Sequence, residues 1–86
     1  MSEIENKIKE CIAEIGPYRF FSAEIDLAVK ALKEVADLTK NLNEDNRKKA
    51  LEIVTEFLNR TAAYSSYVPR TTSNLKFVKE WLERQE

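Results

Sequence analysis

The chain has 86 residues, with 14 basic against 15 acidic side chains, a net charge of -1, one cysteine and no histidine. A chain this short forms one domain and buries only ~60% of the surface its unfolded form exposes, so self-association would help it. The charge balance argues against a protein that tracks DNA or RNA polymers, the missing histidine removes the commonest general base, and a lone cysteine allows no internal disulfide.

Two prolines and one glycine leave few turn formers, while Leu, Ile, Glu, Lys and Ala recur, which favours an all-α fold. Charges interrupt every apolar stretch long before the ~20 residues needed to span a bilayer, so no membrane association is expected. The start Met1-Ser2-Glu3 lacks the basic and apolar regions of a signal peptide, and a cytoplasmic location is the expectation.

Ile4, Ile8, Cys11, Ile12 and Ile15 recur at helical spacing, and Ser2 with Glu5 fits a capping box, which predicts a short first helix over 3–15. Gly16 then supplies a C-cap and Pro17 cannot continue the helix. Tyr18, Arg19, Phe20 and Phe21 occupy the corner. Ser22 is the expected N-cap of a second helix over 23–41, carrying Ile25, Ala28, Val29, Leu32, Val35, Ala36 and Leu38 on its apolar face. Asn43 caps a third, over 44–67, with Ala50, Leu51, Val54, Phe57, Leu58, Thr61 and Ala62. So short a connection implies an antiparallel helical hairpin, and Ala28, Ala31 and Ala36 opposite Thr61, Ala62, Ala63 and Ser65 permit close approach. Val68-Pro69 ends the third helix, residues 70–73 read as a loop, and Ser73 caps a C-terminal helix over 74–84 bearing Leu75, Val78 and Leu82, with Phe77 and Trp81 beside them.

This inventory argues against an enzyme. Cys11 lies on an apolar stripe and reads as a buried structural thiol. Neither metal nor cofactor is expected, because Cys/His ligand spacing is impossible and the acidic clusters Glu24-Asp26 and Glu44-Asp45 suit helix starts. The corner is the densest group of functional side chains, since aromatic faces can stack on bases and a guanidinium can hold phosphate. Phe20 and Phe21 are assigned mainly to packing, as a hydrophobic staple, whereas Tyr18 and Arg19 stand open between packing and binding. Lys30 and Lys33 share a face of the second helix, and they, like Arg47-Lys48-Lys49, also read as an ordinary solvated surface. Arg70 with Thr71, Thr72, Ser73 and Asn74 could wrap phosphate oxygens, or could be a plain connection.

The corner and the two helices after it resemble the phage anti-CBASS sponge family of small helical proteins that sequester cyclic oligonucleotide alarm signals. The residues that carry the resemblance are Gly16, Tyr18, Arg19, Ser22, Glu24, Ile25-Asp26-Leu27 and Lys33, then Leu51, Ile53, Leu58 and Asn59 downstream. Lys33 stands fifteen residues after Tyr18, as the family pattern has it; Ile25-Asp26-Leu27 comes one residue early and Pro17 is inserted, which keeps Lys30 in contention. The resemblance covers about 16–69 and leaves 75–86 as an addition. It implies a homohexamer of helical hairpins in the cytosol of an infected bacterium, holding cyclic dinucleotides such as cyclic GMP-AMP between protomers through the tyrosine and lysine, without cleavage. A separate cyclic trinucleotide site would use an arginine, for which Arg60 and Arg70 are both candidates. A different class of function is a small helical adaptor or inhibitor that binds a partner protein through Phe77, Trp81 and Leu82.

Overall fold

A computed structural model describes residues 3–85, apart from the side chain of Tyr64. It is all-helical: α1 (Glu3–Ile15), α2 (Ala23–Lys40), α3 (Glu44–Thr61) and α4 (Pro69–Glu83), with 3-10 turns at Gly16–Tyr18 and Ala62–Tyr67. Each α-helix buries the stripe that its sequence period marks. Ile4, Ile8, Cys11 and Ile15 of α1 meet Val29, Leu32 and Val35 of α2, Ala50, Val54 and Phe57 of α3, and Leu75, Val78 and Leu82 of α4 in one core. The molecule measures 36 × 21 × 20 Å, a bundle about a third longer than the ~27 Å of its eighteen-residue helices.

Two caps form as the sequence predicts. Ser22 Oγ accepts from the N–H of Ile25 at 3.3 Å, and Asn43 Oδ1 accepts from the N–H of Asn46 at 2.8 Å. The expected capping box of α1 requires Ser2, which lies outside the described residues. Gly16 is no left-handed C-cap, because no residue among those described has positive φ; Pro17 instead opens a 3-10 turn that carries the chain around the corner.

The second half departs further from expectation. The α-helical part of α3 ends at Thr61, and 62–67 tighten into a 3-10 turn. Pro69 begins α4 instead of merely ending α3, so residues 70–73 are helical and Ser73 caps nothing. Proline suits that first position because its missing N–H would be unsatisfied there anyway. The next two donors find their acceptor in α1: Glu14 takes the N–H of Arg70 at 3.2 Å and of Thr71 at 2.7 Å. At the opposite end of the bundle, Arg47 donates to the Leu82 carbonyl at 3.3 Å and to Glu44 at 2.7 Å. Side chains from two other helices thus hold both ends of α4.

Candidate functional site

The large hydrophobic side chains found exposed, Tyr18 (55%), Phe20 (78%), Phe21 (88%), Leu27 (64%) and Tyr67 (80%), lie on the α1–α2 corner, the start of α2 and the 3-10 turn after α3. Because Ile25 and Ala28 share a groove with Phe57 and Thr61, the start of α2 sits beside the end of α3, which brings these side chains to one pole of the bundle. Exposure of this kind concentrated at one place marks a binding surface more than scattered apolar residues would.

The corner itself is a wide turn closed by Arg19 N–H to Gly16 O at 3.1 Å and Phe21 N–H to Tyr18 O at 3.0 Å. The Arg19 guanidinium lies 5.1 Å from the Phe20 ring centroid, within cation–π range. Phe20 and Phe21 are therefore not the expected staple, and their rings face solvent. The physical reason is charge: the position that Phe21 would pack against is Asp26, already bonded to Lys30 at 3.3 Å.

That ion pair also separates the two candidate lysines. Lys30 is exposed and paired, while Lys33 is exposed with no ion-pair partner among the described residues. Lys33 stands eleven residues beyond Ser22, about 16 Å along the helix from the corner.

Residues 70–74, open in the sequence between a phosphate cradle and a plain connection, are helical and form no cradle. Arg70 is exposed, but Thr71 is fully buried and its hydroxyl donates to the Cys11 carbonyl at 3.4 Å. The Thr72 hydroxyl is bonded to the Val68 carbonyl, and Asn74 is buried, donating to Lys7 O at 3.1 Å and Glu10 Oε1 at 2.8 Å. These groups are occupied in fastening α4 to α1. Leu82 is likewise fully buried and Phe77 and Trp81 pack against the core, with the Lys7 ammonium 5.0 Å from the Phe77 ring, so the α4 face that an adaptor would use is largely spent internally.

Sequence reasoning missed Arg47, which reads with Lys48 and Lys49 as solvated surface and is in fact buried. It also missed a groove of about 240 Å³ between α2 and α3, floored by Ile25, Ala28, Ala31 and Thr61, with Arg60 and Glu56 paired at 2.9 Å on its rim. The predicted run of small residues was its only sequence signal.

Burial, helped by nearby Glu14, pushes the Cys11 thiol up to about 12, and its Sγ–H points at the Thr71 carbonyl 3.8 Å away. Burial would raise the Glu14 carboxyl, but hydrogen bonds from Thr71 and Arg70 outweigh it and hold the group below its ordinary value. Among the described residues no cluster of three His, Cys, Asp or Glu is placed to hold a metal, and no helix is long and apolar enough to cross a membrane. Comparison with known protein families, curated proteins and solved structures finds no match for this chain.

Proposed function

We propose that the chain is a phage-type immune-evasion protein that binds and sequesters cyclic dinucleotides such as cyclic GMP-AMP without cleaving them, and so blocks CBASS signalling in the cytosol of an infected bacterium. The observation that carries this reading is the solvent-facing corner, where Tyr18, Phe20 and Phe21 offer ring faces and Arg19 a guanidinium on one short turn. A cyclic dinucleotide presents bases that stack on such rings, at ~1 to 3 kcal/mol each, and phosphates that suit a bidentate guanidinium.

The ligand has near-twofold symmetry, and a symmetric pair of protomers matches it with two copies of each contact. The ~16 Å between the corner and Lys33 in one chain favours the same arrangement, with Lys33 reaching the ligand from a second copy. Assembly of antiparallel α2–α3 hairpins into a homohexamer, as in the family the sequence resembles, would supply such pairs. Arg60 and Arg70, both exposed, are the candidates for a further cyclic trinucleotide site.

The chemistry on hand supports sequestration rather than hydrolysis. The sequence has no histidine, and the one thiol is buried with its pKa raised. Calorimetric titration with a panel of cyclic di- and trinucleotides and their linear counterparts tests the proposal. Heat from cyclic dinucleotides and not from linear ones is the expected result; no heat from any cyclic dinucleotide removes the reading, and linear product formed at turnover removes its non-catalytic part.

A further inference from the structure

We infer that the groove between α2 and α3 is a binding site for a small aromatic cation, one or two fused rings on a short ammonium arm, separate from the aromatic corner. The groove follows α2 from Glu24 to Ala31, about 10 Å, and holds about 240 Å³. An apolar cavity of ~150 Å³ already admits benzene, so this space takes a ring and its arm. A cleft ~10 Å long offers too little surface for the ~800 Å² that a protein partner would need to cover. Its inner end is apolar, because the methyl groups of Ala28 and Ala31 leave a low floor between the helices, and Ile53 and Phe57 form the opposite wall.

The polar end decides the sign of the ligand. Glu24, Glu56 and Arg60 are the charged side chains that line the groove, and Arg60 is bonded to Glu56 at 2.9 Å, which leaves the Glu24 carboxylate in excess. Glu24 is exposed and has no ion-pair partner among the described residues. The start of α2 lies beside the end of α3, so the positive end of one helix dipole offsets the negative end of the other, and the side chains set the local field. Thr61 adds no donor for an anion, since its hydroxyl donates to the Phe57 carbonyl at 3.0 Å. An ammonium beside Glu24 therefore completes a charge pair, whereas a carboxylate there is repelled unless it draws Arg60 away from Glu56. The site does not rest on the nucleotide reading, whose ligand carries the opposite charge.

Fluorotryptamine and fluoroindole-3-propionate, which replaces the ammonium by a carboxylate, are matched probes for fluorine NMR titration of the full chain in whatever assembly it forms. The amine should bind with a dissociation constant of ~1 mM or tighter, and the acid ~5-fold or more weakly than the amine. Glu24→Lys should invert that preference, so that the acid binds more tightly than the amine. Ala31→Leu fills the floor without changing any charge and should weaken binding of the amine ~10-fold or more. Neither position belongs to the core, so circular dichroism should be unchanged in both variants. No binding of the amine, as a second copy lying over the groove would produce, overturns the site. So does tighter binding of the acid to the parent chain, or an unchanged preference in Glu24→Lys. Undiminished binding by Ala31→Leu would place the amine at a surface carboxylate outside the groove, and overturns it too. All of these titrations are read without nucleotide, so their failure is distinct from failure of the calorimetric test of cyclic dinucleotide binding.

Discussion

Cys11 falls on the stripe of Ile4, Ile8 and Ile15 and is buried with them. Its thiol, pushed up to about 12, should react slowly with a disulfide reagent at pH 8 in the native protein and rapidly in denaturant; equal rates would contradict the burial. Phe20 and Phe21 follow no such stripe, and only the charge at Asp26 hinted that no apolar partner awaited them. At this scale the ligand reading makes its sharpest claim. Tyr18→Ala should cost cyclic dinucleotide binding ~1 to 3 kcal/mol per stacked base yet change stability by no more than ~0.5 kcal/mol, because the ring is exposed. Lys33→Ala should weaken binding ~10-fold or more, while Lys30→Ala, whose ammonium is already paired with Asp26, should do less. Calorimetry on the three variants checks this, and the reverse order of the lysines would show that the register taken through α2 is wrong.

Elements with local caps, α2 at Ser22 and α3 at Asn43, began where the sequence put them. The start of α4 moved from 74 to Pro69 because its cap is not local: the acceptor for Arg70 and Thr71 is Glu14, more than fifty residues earlier. Hydroxyls that looked available for phosphate were instead the means of joining α4 to α1. The same logic hides Arg47, which sits among lysines in sequence and reaches the far end of α4 in space. Glu14→Ala should therefore lower stability by ~1 kcal/mol, a shift of roughly 4–8 °C in Tm for a domain of this size. Arg47→Ala should cost more, ~2 kcal/mol, since it removes charged hydrogen bonds to both Glu44 and the Leu82 carbonyl from a buried position. Thermal unfolding followed by circular dichroism measures both, and a neutral Arg47→Ala would mean that α4 is held by its apolar face alone.

For the whole molecule, the all-helical class and the core residues were legible, whereas the gathering of exposed aromatics at one pole was not, because it depends on which helix ends meet. The tethers between helices also give the molecule a pH response whose sign can be worked out. Glu14 and Glu44 both have carboxyls held below the ordinary 4.5: Glu14 because hydrogen bonds from Thr71 and Arg70 outweigh its burial, Glu44 because Arg47 donates to it. A carboxyl with a lower pKa in the folded state binds fewer protons there than in the unfolded chain across the interval between the two values. Its contribution to stability is therefore present above the unfolded pKa and is lost as pH falls through the folded one. Stability should hold from pH 7 to about pH 5 as far as these groups are concerned, then decline as the pH falls below 4.5. Glu14→Gln isolates one of the two, because every other titrating group is common to parent and variant and cancels in the difference. The variant should be less stable than the parent at pH 7, where the ionised carboxylate is the stronger acceptor for two helix N–H groups, and the gap should close as both approach pH 3. Urea midpoints measured from pH 7 to pH 3 decide the matter: curves that stay parallel over that range would mean that the charge on Glu14 does not help to hold the start of α4.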